Sequence, residues 1–483
     1  MLPFEHIITI DKSSNIALYR QISISIINAI SDGVLKPGAH LPSSRELAKN
    51  LAVHRKTVIA AYEELQSQDW IIVEPRKYVA VSNFIPILKA QKWNRPFVRT
   101  GYGKDLPISY KKSQPEVSVE IAERFDKVLI DDGYPDIRLS PIDDLLKTYR
   151  TFTNRKTISK IANIGTGQGV LKLREQLANH LIESRGLTMG VEHVLITHGA
   201  QMSIYLAAQL LLDNSSHVLV GEPNYPLANQ VFKDTSASVI SVSVDEDGID
   251  TDAVEAWCKL KKISLIYVIP HHHYPTTVTL SVERRMKLLA LAEQYGFVII
   301  EDDYDYDYHY TSSPYLPLAS SNHQGHVIYI GSFSKILDPS IRIGFMVAPE
   351  KFIAQCTAYR KIIDVGGDGY MQHALAELIK EGELNRYLKK ARRCYKIRRD
   401  YLDQLLRDRL GNYIYFSLPA GGMAIWVRLK PPFLVNDLLL NCSLEIVRID
   451  ETQNAFRFGF ASLSENELDQ AVSELVKAFK KMA

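Results

Sequence analysis

The chain has 483 residues, which is too long for one ordinary hydrophobic core and favours two or more domains. Hydrophobic residues make up 46% and charged residues 23% of the chain, and these values exclude disordered and collagen-like classes. Because the net charge is only +2, a polyanionic partner would have to be bound by a local basic surface.

The cysteines and the N-terminus indicate the compartment. Cys258, Cys356, Cys394 and Cys442 are far apart and form no CxxC pair, as expected of core thiols in a reducing environment. The start, MLPFEHIITIDKSS, lacks the basic and apolar regions of a signal peptide, and no run reaches the roughly 18 apolar residues of a membrane span. The sequence therefore predicts a cytoplasmic protein without a membrane contact.

The first eighty residues have the order of a winged helix-turn-helix. Residues 17–32 show apolar residues at helical spacing, Ser43 and Glu46 form a capping box that opens a second helix, and residues 54–68 form a third. The runs WIIVE and YVAVS, separated by Pro-Arg-Lys, predict a two-stranded wing. Two short helices joined by a tight turn are typical of DNA binding.

The first turn of the third helix carries cations and hydroxyls that can reach phosphates and base edges, although a merely solvated basic turn has the same composition. This stretch resembles the DNA-binding domain of the GntR family through LYRQI, LKPGAHLPSSRELA and VHRKTVIAAYEEL. The resemblance implies that the domain spans residues 1–82 and binds double-stranded DNA. It also implies that Arg45 and Arg55 contact DNA, with Thr57 and the wing in support. The composition of the helix start adds His54 and Lys56 as candidate DNA-binding residues.

Residues 83–124 are predicted to form a basic linker. Between residues 83 and 114 the chain has no periodicity and carries seven Lys or Arg residues against Asp105 alone. This charge could contact phosphates or simply keep a tether solvated.

The C-terminal part alternates short apolar runs with helical stretches, which predicts an α/β domain with a mostly parallel sheet. Unusual polar segments follow the apolar runs: HGAQ, EPNYP, PHHHYPTT, EDDYDYDY and GSFSK. Since ligands of open α/β sheets bind outside the carboxyl ends of the strands, we expect these segments to converge on one pocket.

The functional groups that these segments carry are those that bind pyridoxal phosphate. Lys335 offers an amine for a Schiff base, and Asp302 offers an acid for the pyridinium nitrogen. Tyr225 can stack on a ring. Hydroxyl, guanidinium and helix N-terminal amide groups for a phosphate come from Gly199, Ala200, Gln201, Ser332, Ser334 and Arg342.

Residues 125–483 resemble a fold-type I aminotransferase, and with the GntR-like head the whole chain resembles the MocR/GabR family of regulators. The shared motifs include GEPNYP, EDDYDYDY, GSFSKILDPSIRIGF and FRFGFA. The resemblance implies that Lys335 forms the internal aldimine, that Tyr304 hydrogen-bonds the phenolic oxygen of the cofactor, and that Arg457 binds an effector carboxylate. It also implies a homodimer.

The sequence departs from the family pattern at several positions. The tip of the wing reads EPRK rather than a glycine-rich turn, and His54 replaces a usual Ser or Thr. Thr277 stands where a glycine is usual, and Ile164 where many relatives have a tyrosine that reaches the phosphate. The extra histidines, His271–His273, are candidates to line the effector pocket.

Metal binding is not predicted. Adjacent histidines on an extended segment point to opposite sides, so His271–His273 are poor ligands for one ion. The acidic run from Asp303 begins like a calcium loop but has Tyr308 at the glycine position. The basic stretch from Lys389 to Arg399 has helical spacing, and a solvated face explains it as well as a second DNA contact.

The motifs together predict a transcription regulator that senses a small amine, an amino acid or pyridoxal phosphate itself through aldimine exchange at Lys335. The alternative is an active aminotransferase that carries a DNA-binding head, since the residues for half-transamination are present. A DNA-binding scaffold whose large domain only dimerises explains the Lys335, Asp302 and Arg342 set less well.

Overall fold

The computed structural model describes residues 4–75, 77–86, 108–109, 129–153, 167–310 and 315–483. The chain divides into two compact units, residues 1–112 and 113–483. Most of the predicted linker, and Ile164, lie outside the described residues. Within the described part of the chain, no helix is both long and apolar enough to cross a bilayer.

The N-terminal unit has the predicted order of a helix-turn-helix followed by a wing. Its helices are Phe4–Ile7, Leu18–Ser31, Ser44–Asn50 and Arg55–Ser67. Its strands are β1 (His40–Leu41), β2 (Ile71–Glu74) and β3 (Tyr78–Val81), which form an antiparallel sheet in the order β1-β3-β2.

Side-chain caps fix where the two helices of the motif begin. Ser43 accepts a hydrogen bond from the backbone N–H of Glu46 at 3.2 Å, as the sequence predicts. His54 Nδ1 accepts one from the N–H of Lys56, also at 3.2 Å. The buried face of the helix Arg55–Ser67 packs into the core of this unit, where the Tyr62 hydroxyl donates to the carbonyl of Pro42 at 2.8 Å. A buried hydroxyl with a partner fixes the angle between the helices more tightly than apolar contact alone.

A mostly parallel sheet forms the centre of the larger unit. Its strands are β5 (Val194–Thr197), β6 (His217–Glu222), β7 (Ser238–Asp245), β8 (Gly248–Ile249), β9 (Leu265–Val268), β10 (Val298–Asp302), β11 (Val327–Ser332) and β12 (Gly344–Val347). Among the described residues their order is β5-β12-β11-β10-β9-β6-β7-β8, and β8 and β12 run antiparallel to their neighbours. The carboxyl ends of β5, β6, β9, β10 and β11 therefore meet at one edge.

Apolar side chains fill both faces of this sheet. Ile299 and Ile300, which are consecutive on β10, belong to different hydrophobic clusters, because successive side chains point to opposite faces. The helices of this unit are Ile142–Phe152, Leu171–Arg185, Ala200–Leu211, Pro226–Asp234, Thr251–Leu260, Val282–Tyr295, Glu350–Ile363, Gly369–Lys380, Glu383–Leu410, Val435–Asn441 and Glu465–Met482.

Two smaller sheets bring later parts of the chain to the same edge. The strands β13 (Ile414–Phe416), β14 (Ala424–Leu429), β16 (Ile449–Asp450) and β17 (Ala455–Gly459) form an antiparallel sheet. The short strands β4 (Leu129–Ile130) and β15 (Glu445–Ile446) pair in parallel. The turn after β4 and the middle of β17 supply the side chains that complete the pocket described below.

Candidate functional site

The Asp302 carboxyl group is buried at the end of β10. Its Oδ2 accepts a hydrogen bond from the Tyr267 hydroxyl at 2.7 Å, whereas its buried Oδ1 has no hydrogen-bond partner among the described residues. Burial raises the pKa of Asp302 to about 7, and Tyr267 opposes that rise. A buried acceptor oxygen without a donor is costly, so a protonated heterocyclic nitrogen would stabilise the carboxylate at this position.

Lys335 lies three residues beyond the end of the neighbouring strand β11. Its Nζ donates to the carbonyl of Gly133 at 2.7 Å and lies 4.6 Å from the centre of the Tyr134 ring. Burial lowers the pKa of Lys335, while the Asp132 carboxylate acts in the opposite direction. A lowered pKa makes the neutral, nucleophilic amine more accessible near neutral pH.

A cradle for an anion lies at the start of the helix Ala200–Leu211. Gly199 precedes the helix with φ of 89°, and Arg342, also with positive φ at 52°, donates to the carbonyl of His198 at 3.0 Å. A Cβ at Gly199 would lie 3.0 Å from Nη2 of Arg342. The first N–H groups of a helix and an adjacent guanidinium suit a phosphate.

Hydroxyl groups border this cradle. The N–H of Ser334 donates to Oγ of Ser332 at 3.1 Å, while Oγ of Ser334 is buried without a hydrogen-bond partner in the described part of the chain. The side-chain nitrogen of Gln201 donates to the carbonyl of Leu227 at 3.2 Å, whereas its buried Oε1 has no hydrogen-bond partner in the described residues. Because an amide oxygen only accepts hydrogen bonds, the backbone N–H of Gln201 is the group that suits an anion.

The predicted effector residue, Arg457, is only 1% exposed. Its Nη2 donates to the Tyr304 hydroxyl at 3.1 Å, and Nη1 donates to the carbonyl of Pro275 at 3.0 Å. The Tyr304 hydroxyl also donates to the carbonyl of His272 at 3.1 Å. Tyr304 and Arg457, which the sequence places far apart, thus share one end of the pocket.

Residues without a predicted role complete the pocket. Asp132 makes an ion pair with Arg457 and accepts from the Tyr274 hydroxyl at 2.9 Å. The Tyr274 ring meets the Tyr225 ring edge to face at 5.6 Å between centroids. The motif DDGYPD gives no local signal for the ion pair of Asp132, because Asp and Gly are common in solvated turns.

Each of the three consecutive histidines has a partner of its own. His272 lies 2.7 Å from Oδ1 of Asp305, and His271 lies 3.1 Å from Oδ1 of Asp303. His273 contacts the carbonyl of Pro223 at 2.8 Å, and burial lowers the pKa of its imidazole to about 4. These contacts hold the EDDYDYDY segment against the loop after β9. In the described residues no group of His, Cys, Asp and Glu side chains has the arrangement of a metal site.

Thr277 keeps the backbone conformation that a glycine would adopt. Its φ is 64°, its side chain is buried, and its N–H contacts the carbonyl of His273 at 2.6 Å. A β-branched residue in the left-handed region holds this turn at the cost of local strain.

The candidate DNA-binding residues lie on the helices Ser44–Asn50 and Arg55–Ser67 or, for His54, at the N-cap of the latter. Arg45, His54, Arg55 and Lys56 are exposed, and Thr57 is half-buried. Nε of Arg55 donates to Oγ of Ser44 at 3.3 Å, which links the two helices. The His54 ring, as the helix cap, has one nitrogen committed to the backbone and the other available.

The comparisons with known families agree with this geometry. Residues 136–475 match Aminotransferase class I and II, and residues 18–81 match Bacterial regulatory proteins, gntR family. The chain belongs to the aminotransferase class I and II family. A GntR-family domain followed by an aminotransferase-family domain is the architecture of MocR-type regulators.

Two regulators and one enzyme illustrate the similarity. The HTH-type transcriptional regulator TauR of Rhodobacter capsulatus is 28% identical over 475 residues, covering 96% of this chain and 97% of TauR. The HTH-type pyridoxine biosynthesis transcriptional regulator PdxR of Corynebacterium glutamicum is 26% identical, covering 95% of each chain. The structure of kynurenine aminotransferase from Pyrococcus horikoshii has a TM-score of 0.68 at 26% identity, covering 74% of this chain and 91% of that one.

Pyridoxal phosphate is the cofactor that this fold and these relatives indicate, and the pocket fits it. Oδ1 of Asp302 is a buried acceptor without a donor among the described residues, which suits a protonated ring nitrogen. The Ser334 hydroxyl is buried without a partner there, which suits donation to a phosphate oxygen. Gly199 leaves the space beside Arg342 that a side chain would fill. Lys335 offers a primary amine, the group with which the cofactor aldehyde would condense.

Replacement of Gly344 by alanine should weaken cofactor binding. A Cβ at Gly344 would lie 2.6 Å from Cα of Gly199, so the anion cradle would have to move. We expect the Kd for pyridoxal phosphate to rise at least about tenfold, equivalent to about 1.4 kcal/mol, measured by absorbance titration of the cofactor-free protein. The control is Gly369→Ala, because a Cβ at Gly369 meets no atom within 4 Å. Equal affinity in the two folded variants would contradict this location of the cradle.

The raised pKa of Asp302 predicts a pH-dependent stability of the cofactor-free protein. Between about pH 4 and pH 7 the unfolded chain has lost this proton and the folded chain retains it, so the free energy of unfolding falls as pH rises. Asp302→Asn removes this dependence. The free energy of unfolding is measured with urea for the wild type and for Asp302→Asn. The wild-type value minus the variant value should decrease between about pH 4 and pH 7 and then level off. A difference that does not change with pH would contradict the assignment.

Proposed function

We propose that the protein is a transcription regulator that binds duplex DNA through residues of its N-terminal helices and responds to a small amine through pyridoxal phosphate at Lys335. The observation that carries the proposal is the presence of both residue sets in one chain. A half-buried lysine with a lowered pKa, a buried acid and an anion cradle lie at one sheet edge, and an exposed basic helix start lies in the GntR-family unit.

When bound, pyridoxal phosphate supplies an aldehyde carbon that condenses with a primary amine and a ring that withdraws electrons. Lys335 is the proposed protein amine, and Asp302 stabilises the protonated ring nitrogen. Tyr225 is the proposed stacking residue, and Tyr304 the donor to the phenolic oxygen. The phosphate is assigned to the amides of Gly199, Ala200 and Gln201 and the side chains of Ser332, Ser334 and Arg342.

The effector acts by releasing Lys335 and by contacting the end of the pocket that contains Arg457. Regulation requires that the effector bind one state of the regulator more tightly than the other, because equal affinity shifts no equilibrium. We further propose a homodimer, in which two DNA-binding units would match two half-sites of an operator.

An active aminotransferase is the second candidate function. The pairing of Lys335 with a buried acid and a nearby arginine, Arg457, favours it because these groups suffice to exchange an amino group. Steady turnover of an amino donor with an oxo acid, at a rate that depends on Lys335, would favour this candidate over a regulator without turnover.

Lys335→Ala should abolish both covalent capture of the cofactor and the effector response. Without Nζ, borohydride can no longer attach pyridoxal phosphate to the protein, and an added amine has no lysine to displace. The measurements are mass spectrometry after borohydride and DNA binding with and without a panel of amines. Lys351→Ala, at an exposed lysine, is the control. An unchanged effector response in the Lys335 variant would refute the mechanism.

Arg55→Ala should weaken DNA binding and reduce its salt dependence. If Arg55 contacts a phosphate, the slope of log K against log salt should fall in magnitude by about 1. The probe is a duplex selected from a random pool by the wild-type protein, and binding is measured by fluorescence anisotropy at several salt concentrations. Arg386→Ala, on an exposed helix start of the larger unit, is the control. Equal slopes for the two variants would remove Arg55 from the interface.

A further inference from the structure

Arg457 is paired with a carboxylate of the protein itself. Its Nε lies 3.2 Å from Oδ1 of Asp132, and the side chains are 1% and 19% exposed. The N–H is not aligned as a hydrogen bond, so the contact is an ion pair held by charge. Oδ2 of Asp132 is fixed independently, because it accepts from the Tyr274 hydroxyl at 2.9 Å.

The rest of the Arg457 guanidinium is also engaged. The other two nitrogens donate to the carbonyl of Pro275 and the hydroxyl of Tyr304, and the Tyr274 ring centre lies 5.1 Å from Cζ. An incoming carboxylate would have to displace Asp132 or lie beside it. Two carboxylates at one guanidinium repel each other, and this repulsion increases in a buried site.

The ion pair lies next to the reactive amine. Asp132 is in the same turn as Gly133, whose carbonyl accepts from Nζ of Lys335. The turn is rigid because Oδ1 of Asp131 accepts from the N–H of Gly133 at 2.7 Å. The charges of both Asp132 and Arg457 act on the pKa of Lys335, in opposite directions. An amine bound at the position of Nζ would therefore lie beside the turn that carries Asp132 and within the influence of its charge.

A second arginine, Arg448, also contacts the Tyr274 ring. Cζ of Arg448 is 5.5 Å from the centre of the Tyr274 ring, and its Nε is buried without a hydrogen-bond partner in the described residues. An acidic group at the far end of a ligand could contact Arg448 without competing with Asp132. Asp132 therefore disfavours a carboxylate on the carbon that bears the amine, but it does not disfavour an acidic group elsewhere on the ligand.

We infer that Asp132 is a specificity-determining residue, and that the effector is a primary amine without a carboxylate on the carbon that bears its nitrogen. This inference rests on the proposed function and narrows its effector class. Asp132 supplies the negative charge that neutralises Arg457, a role that the carboxylate of an α-amino acid would otherwise have. Such an amino acid is disfavoured by repulsion, whereas an amine without that carboxylate leaves the ion pair intact.

The test compares matched pairs on the full-length protein loaded with pyridoxal phosphate. The pairs are L-tyrosine with tyramine, L-lysine with cadaverine, L-phenylalanine with phenethylamine and L-glutamate with 4-aminobutyrate. Binding of each compound is measured by calorimetry and by the absorbance of the cofactor. We expect the decarboxylated member to bind at least about tenfold more tightly in every pair that binds. Asp132→Asn keeps the shape and the Tyr274 contact but removes the charge, and should lower this preference about tenfold by strengthening amino acid binding.

The exposed Asp143→Asn, which changes the net charge equally, is the control and should leave the preference unchanged. Tighter binding of the amino acids by wild type, or an equal preference in Asp132→Asn and wild type, would overturn the inference while leaving the proposed function intact. A loaded cofactor whose absorbance responds to no compound would refute the proposed function, and the inference with it.

Discussion

The buried carboxyl group of Asp302 sets the requirements for the rest of the pocket. It lies at the end of a central strand, receives one hydrogen bond from Tyr267, and has a second oxygen without a donor. A protein accepts such a group where a ligand supplies the missing partner. The strand register then brings Lys335 and the anion cradle to the same edge of the sheet as Asp302, because β10 and β11 run in parallel and β12 joins β11 to β5.

The sequence predicts the framework of this pocket well. Each polar segment that follows an apolar run lies at the end of a strand of one sheet, since parallel strands with buried faces read as short apolar runs. The helix-turn-helix is also confirmed, down to the cap that Ser43 provides, because capping depends on local residues. Local patterns and the common edge of a parallel sheet were sufficient for these conclusions.

The partners within the pocket were less accessible to sequence reasoning. Asp132 follows a strand of only two residues, and the pairing of that strand with β15 is not encoded by any local period. Tyr267 lies within β9, an apolar strand whose composition predicts burial but not a hydrogen bond to Asp302. The acids of EDDYDYDY resemble a calcium loop in sequence, but the fold gives Asp303 and Asp305 separate histidines. Such contacts between distant segments are fixed by tertiary packing, which periodicity does not report.

The left-handed turn at Thr277 bears on how a signal could leave the pocket. A β-branched residue is held in this conformation only where its surroundings determine the backbone, here through contacts with His273 on both sides of the turn. The turn also carries Pro275, whose carbonyl receives Arg457. A backbone so constrained is a poor hinge. Changes on effector binding would therefore begin with side chains around Lys335 and Asp132, and this loop would serve as the fixed reference against which they move.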